Sequence, residues 1–376
     1  MVGSKMSAFA AQNKNANEDD CREELKEFVR AVKASKLGAR LQILRGIRGI
    51  LFFLFFFLVF ALFVPSSRCF SEALEQMYSP IEDRNIREAS GLVKSKLNSN
   101  EAHGIIFWTH NDSGDRARVF AIRVSPPGAK KKTKTREEDA SLKTAVVAEV
   151  TILNAGNRDW EDLALWQDGG KQKLCAGDIG SYRGEVVIYC FPEPKLSETY
   201  SNVSSSSAEK KKTKKEYLKV PFSEKIRLRY PSDEKHDAET LLVDPHTSQF
   251  LIVTKKSNDK GGLYVSEPIK SLSRSKTNEL KFIRTIKLYG TTSGATGGDI
   301  SWSGRKIVLK SYGRYVYEYS RESFFNPNRD PNVRGLGEYD PSEALALDND
   351  SPDENEIWTL NEGSGSSLKR YRLYSR

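Results

Sequence analysis

Glu161-Asp-Leu-Ala-Leu165, Leu174-Cys-Ala-Gly177 and Val186-Val-Ile-Tyr-Cys190 follow one another closely. An acid opens a short apolar run, and two further strand-like runs come after it. The same unit recurs along the chain. Its opening runs are Glu88-Ala-Ser-Gly-Leu92, Glu239-Thr-Leu-Leu-Val243, Asp299-Ile-Ser-Trp302 and Glu343-Ala-Leu-Ala-Leu347. The matching second runs are Phe107-Trp-Thr-His110, Ile252-Val-Thr-Lys255, Val308-Leu-Lys-Ser311 and Ile357-Trp-Thr-Leu360. Third runs close each unit at 118–122, 262–265, 315–319 and 368–372, and fourth runs are visible at 225–229 and 281–286. Turn-forming clusters, such as Asn111-Asp-Ser-Gly114, Asp259-Lys-Gly-Gly262 and Asn361-Glu-Gly-Ser-Gly365, punctuate the runs as hairpins require.

The opening acids stand 73, 78, 60 and 44 residues apart. The two longest intervals hold the Lys-rich stretches at about 126–140 and 200–216, which read as solvated insertions without periodicity. Repeats of three or four short strands at this period are the signature of an all-β β-propeller over residues 80–376. Five blades are counted, and the length is compatible with a degenerate sixth. The segment 70–86 is placed to supply the outer strand that closes the ring.

Ahead of the repeats lies Ile50-Leu-Phe-Phe-Leu-Phe-Phe-Phe-Leu-Val-Phe-Ala-Leu-Phe-Val64, which holds seven of the 18 Phe residues and no polar side chain. With Ile47 to Gly49 and Pro65 it approaches the length of a bilayer span, so 47–65 reads as a single transmembrane helix. Residues 26–48 bring seven Lys/Arg against one acid, whereas 65–84 bring two Arg. The positive side stays cytoplasmic, which makes this a type II signal anchor with the propeller lumenal or extracellular. In the cytoplasmic tail 1–46, Leu25, Phe28, Val29 and Val32 recur at helical spacing among Lys and Arg. That pattern suits either a basic amphipathic helix on an anionic leaflet or a stub continuing the membrane helix.

The 376-residue chain carries 59 Lys+Arg against 50 Asp+Glu, a formal +9. Residues 26–48, 130–136 and 210–215 alone hold +16, so the rest of the chain is acidic at −7. Nucleic acid is therefore excluded as the partner of the folded body; a protein or a small molecule is expected. Only four His occur, and no metalloprotease, nucleophile-elbow, P-loop or dinucleotide signature is present.

In a propeller the innermost strand of every blade lines the central channel, so its leading residues converge at one mouth. Glu88, Glu161, Glu239, Asp299 and Glu343 thus face a common axis and form a candidate site for a divalent cation. Hard oxygen donors in that number suit Ca²⁺ best. His110, Asn111, Asp112, Asp178, Lys255 and Glu362, from the following strands and turns, are the candidate ligand-binding set. Asn111-Asp-Ser-Gly-Asp115 resembles part of a Ca²⁺ loop. Cys175 and Cys190 sit symmetrically about the turn 181–184 and are candidates for a cross-strand disulfide or two buried hydrophobes. Asn202, in the second insertion, is the best glycosylation acceptor among three sequons on the translocated side.

Residues 86–372 also resemble a family of uncharacterised secreted or membrane-anchored propeller proteins, mostly bacterial. The resemblance is carried by Glu88-Ala-Ser-Gly-Leu92, Trp108-Thr-His-Asn-Asp-Ser-Gly-Asp115, Asn157-Arg-Asp-Trp-Glu-Asp162 and Gly177-Asp-Ile-Gly180. It continues in 188–194, His236-Asp-Ala-Glu239, 297–301 and 361–363. It implies the propeller fold and brings no catalytic residue. A remoter similarity is to propeller phytases and lactonases, which use an acid-lined channel and a divalent ion; Asp237-Ala-Glu-Thr240 echoes one of their signatures. Two functional classes follow: a ligand- or partner-binding module with an ion in its channel, or a metal-dependent hydrolase of a phosphoester or lactone.

Overall fold

Alternating apolar runs joined by tight turns can bury both faces only if sheets stack face to face, and the chain does this five times. The computed structural model describes residues 75–100, 104–124, 143–197, 215–255, 260–290, 293–351 and 353–373. They form an all-β, five-bladed β-propeller. The tail 1–46, the apolar run 47–65, Asn202 and almost all of both Lys-rich insertions lie outside the described residues. Among the described residues no helix is long and apolar enough to cross a membrane.

Blade 1 runs outward through β2 (Ala89–Lys94), β3 (Ile105–Asn111), β4 (Arg118–Val124) and β5 (Thr144–Leu153). Blade 2 uses β6 (Trp160–Asp168), β7 (Lys171–Asp178), β8 (Glu185–Pro192) and β10 (Glu224–Arg229). Blade 3 uses β11 (Asp237–Val243), β12 (Gln249–Lys255), β13 (Lys260–Pro268) and β15 (Lys281–Lys287). Blade 4 uses β16 (Gly297–Ile300), β17 (Lys306–Lys310), β18 (Gly313–Ser320) and β19 (Asn332–Asp340). Blade 5 is β20 (Ala344–Leu347), β21 (Glu356–Leu360) and β22 (Leu368–Arg372), completed by β1 (Glu75–Met77), the first described strand of the chain. The pairing of Gln76 with Arg370 thus ties the two ends of the propeller together, as expected for the segment 70–86.

Two further strands extend the outer edges. β9 (Glu216–Pro221) leaves blade 2 to pair in parallel with β5, and β14 (Asn278–Glu279) leaves blade 3 to pair in parallel with β10. Five apolar clusters make up the core, one between each pair of neighbouring blades. Trp108 and Trp160 lie between blades 1 and 2, and Tyr264 and Ile188 between 2 and 3. Phe107 and Trp358 lie between 1 and 5. Leu251 with Leu309 and Val308 with Leu345 fill the remaining two interfaces. The innermost strands β2, β6, β11, β16 and β20 pack side by side in a closed ring.

At the far end of this ring Lys94, itself buried, is held by Asp348 and Asp350 across the seam between blades 1 and 5. Nearby, Lys96 lies 4.9 Å over the ring of Trp302. These two residues follow β2 and β16, in blades that are not ring neighbours, so their contact spans the channel. The near end is acidic.

Candidate metal centre

Each blade's inner strand begins at the acidic end, and in three of the five a β-bulge sits there. The pairing with the second strand slips between Ala89 and Leu92, between Trp160 and Asp162, and between Ala238 and Thr240. A bulge turns one extra side chain away from the regular alternation. In blades 2 and 3 that residue is Glu161 and Glu239, each 5–6% exposed. In blade 1 it falls at Ser90-Gly91, and Ser90 Oγ donates to the Glu161 carbonyl at 2.6 Å. Glu88 lies further out, exposed on the rim, with its carbonyl accepting from the Asp112 N–H. Glu343, just before β20, is buried at the mouth.

Three sequence motifs meet around Glu161. In Asn157-Arg-Asp-Trp-Glu-Asp162, Asn157 Nδ2 donates to the carbonyls of Asn111 and Asp112, which holds the loop after β3 against the start of β6. Asp159, just before β6, and Glu161, at the bulge, bring their carboxylates together, while Trp160 enters the core between them. Asp178 accepts from the Asp159 N–H and from Arg183, so it braces the site from behind. Ser181 Oγ donates to Asp159 Oδ2. Gly180 comes so close that a Cβ there would stand 1.9 Å from Glu161 Oε1 and 2.6 Å from Asp159 Oδ2.

The outcome is a carboxylate triad. Oxygens of Asp112, Asp159 and Glu161 all lie within 4.8 Å of one another. Beside it stand Glu239, Glu343, Asp237 and Glu362, with Lys255 ion-paired to Glu239 and the Tyr312 hydroxyl donating to Glu343. Glu239 Oε2 is buried and has no hydrogen-bond partner among the described residues.

Electrostatics follow from this crowding. Burial first, then Asp112, Glu239, Asp159 and Glu343, push the Glu161 carboxyl up to about 11. Burial and the neighbouring Asp159, Glu343 and Glu88 raise Asp112 to about 6. Glu239 rises to about 8, through burial and Glu343 and against the pull of Lys255. Glu362 rises to about 7, through burial, Glu343 and Asp112. So many carboxyls cannot all ionise unless protons or a cation neutralise them. An all-oxygen donor set, a glycine that leaves room beside it and an unpartnered buried oxygen fit a hard divalent ion.

The structure brings Glu161, Glu239, Glu343, Asp112, Lys255 and Glu362 together. Asp299 lies one step deeper in the channel. Its carboxylate accepts from the N–H groups of Ile300 and, at 2.8 Å, of Leu347 in the next blade. Asp162 is its counterpart, accepting from Leu163 and from Leu241 of blade 3. Both acids staple neighbouring blades, and burial raises Asp299 to about 7. His110 is fully buried: Nε2 accepts from the Gly91 N–H and Nδ1 faces the Asn111 carbonyl, so neither nitrogen is turned to the mouth. Burial lowers it to about 4, which keeps the ring neutral. Asn111 caps the chain at Arg87 and Glu88 and ties down Asp115. Cys175 and Cys190 are paired directly across β7 and β8 and are joined as a disulfide.

Asp159 and Gly180 stand in the quoted motifs 157–162 and 177–180 and Ser181 in the turn 181–184, but none of them, nor Tyr312, is among the candidate site residues. Asp159 stands just before β6 and Glu161 is turned out by the bulge, so strand alternation does not mark the pair; only the fold brings their oxygens together. No protein-family model matches the chain, and no curated protein sequence matches it significantly.

Proposed function

We propose that the acidic mouth holds a divalent cation, Ca²⁺ by its chemistry, and that the propeller is a binding module built around that ion. The observation carrying this reading is the triad of Asp112, Asp159 and Glu161, whose oxygens gather within 4.8 Å. Ca²⁺ takes six to eight oxygen ligands, so three carboxylates leave coordination positions on the mouth side. A ligand or partner would reach the ion there. The apolar run 47–65 and the Lys/Arg-rich residues before it support a type II anchor that displays the module outside the cytoplasm. The resemblance to secreted and anchored propellers agrees with that placement.

Calorimetric titration of the full chain in detergent with Ca²⁺ tests the reading. One ion is expected per chain, with the heat lost in an Asp159→Asn/Glu161→Gln variant. Absence of heat in the parent protein, with Ca²⁺, Mg²⁺ and Zn²⁺ alike, overturns it. The hydrolase reading rests on the same vacant coordination positions: an ion-bound water beside carboxylates can act as a nucleophile. Ca²⁺-dependent turnover of a phosphoester or lactone that disappears in the double variant would favour it over pure binding.

A further inference from the structure

Charge decides what an ion in the mouth can receive. Beside the triad stand Asp237, Glu239, Glu343 and Glu362, close enough for their charges to act on one another. Among the described residues a single ion pair reaches these carboxyls, that of Lys255 with Glu239. Arg183 is paired with Asp178 behind the site. One divalent ion and one ammonium therefore leave the ionised mouth net negative. A phosphate or carboxylate, which proteins recognise through Arg, Lys and N–H donors, meets repulsion there. An uncharged ligand rich in hydroxyls meets the opposite, because every carboxylate oxygen accepts from an O–H group. Glu239 is 5% exposed, and its Oε2 has no partner among the described residues.

A second, independent observation is an aromatic ring. Tyr182, in the loop between β7 and β8, is 75% exposed. The residues around it are held. Gly180 lies against Glu161, and Ser181, at φ 61°, donates its hydroxyl to Asp159. Arg183 exchanges backbone hydrogen bonds with His236 at 3.0 and 3.1 Å and donates to Asp178 at 2.6 Å. A single exposed aromatic is ordinary on a protein surface. This one is carried by a loop that is fastened to the triad on one side and to blade 3 on the other, so little ordering entropy is lost when a ligand covers it.

We infer that the ligand of the mouth is a neutral carbohydrate, chelated to the ion through two neighbouring hydroxyls and stacked by its apolar face on Tyr182. This rests on the metal-centre reading above and names the ligand class of that site. Ca²⁺ accepts neutral oxygens, carbonyls and waters among them, within its shell of six to eight. The sugar ring holds adjacent hydroxyls at a fixed spacing, so the second binds intramolecularly once the first is in place. On the cation each hydroxyl becomes a stronger donor, and its proton finds a carboxylate of the mouth. The C–H face of the sugar covers the Tyr182 ring and removes apolar area from water. A sugar phosphate or uronate offers the same hydroxyls but adds charge that the mouth repels.

The test is retention of the full chain, in a detergent without a sugar headgroup, on immobilised dextran, mannan and galactan and on polygalacturonate and phosphomannan. Each is run with saturating Ca²⁺ and with a chelator, for the parent, Tyr182→Ala and Tyr182→Phe proteins. Calorimetric Ca²⁺ titration and near-ultraviolet circular dichroism accompany every protein. The parent is expected to be held, reversibly by chelator, on at least one neutral polysaccharide and more weakly on the charged ones. Tyr182→Ala should lose about fivefold or more of that affinity with its Ca²⁺ heat intact, and Tyr182→Phe should keep it. Ca²⁺ heat in the parent without chelator-reversible retention on any neutral polysaccharide overturns this inference and leaves the metal-centre reading standing. Stronger retention on the charged polymers does the same, as does a folded Tyr182→Ala held as well as the parent. A folded Tyr182→Ala that loses its Ca²⁺ heat also overturns it, since the ring would then serve the ion. No Ca²⁺ heat in the parent removes the metal-centre reading itself and this inference with it.

Discussion

Gly180 shows how closely single atoms decide this site. Its missing side chain leaves the space that Glu161 Oε1 and Asp159 Oδ2 occupy. Gly180→Ala is expected to push those carboxylates apart and weaken ion binding about tenfold or more, about 1.4 kcal/mol, while the propeller still folds. Calorimetry of the variant checks this. The raised carboxyls make a second expectation. Asp112, Glu362 and Glu239 lie at about 6, 7 and 8 in the folded protein, against roughly 4 when unfolded. The folded state therefore holds protons that the unfolded state has released. Without the ion, the stability these carboxyls contribute is fully present below about pH 4 and is lost as pH rises through 6 to 8, and for Glu161 on towards 11. Thermal denaturation in a chelator should show Tm dropping across pH 5–8, and saturating Ca²⁺ should flatten that slope by replacing the protons. At this scale Glu161 and Glu239 were legible because an acid opening an inner strand is conspicuous. The role of His110 was not: its two hydrogen bonds, to Gly91 and Asn111, depend on a bulge that no local residue pattern announces.

Hairpins carry the site's rigidity. The loop between β7 and β8 supplies Gly180 and Ser181, and the Cys175–Cys190 disulfide clamps its stem. A cross-link spanning 15 residues restricts the unfolded chain by about 3 kcal/mol. Cys175→Ala/Cys190→Ala is accordingly expected to lower unfolding free energy by about that amount in denaturant titrations. A change below about 1 kcal/mol would mean that the β7–β8 ladder alone holds the hairpin. The strand pattern was readable at this scale, since the period of two and the turn residues marked nearly every inner, second and third strand. Bulges limited the reading of register. Glu161 is an extra residue in its strand, whereas Asp299 belongs to an unbulged one and takes the stapling place of Asp162. Counting leading acids placed them together; the ladder separates them. β9 and β14 escaped notice because parallel pairing to a preceding blade leaves no trace in sequence order.

Closure makes five hairpin stacks into one molecule. β1 completes the last blade, and Lys94 crosses the same seam to Asp348 and Asp350. Removing one partner of a buried ion pair costs about 3–5 kcal/mol. Lys94→Met should therefore destabilise the whole ring by about that much, seen as one cooperative transition at lower Tm. An unchanged Tm would show that β1 and the apolar wedge of Phe107 and Trp358 close the ring unaided. The propeller and at least five blades could be read from repeat spacing, because each blade must bury two faces and so repeats its apolar pattern; the choice of five over six came from the closed ring. The three carboxylates proposed to hold the ion come from the loop after β3 and from the start of blade 2, and only the folded ring shows that they converge. The most direct measurement is an anomalous difference map from crystals of the protein grown with Ca²⁺. The account predicts a peak about 2.4 Å from carboxylate oxygens of Asp112, Asp159 and Glu161. A map at saturating Ca²⁺ with no peak at the mouth would contradict it.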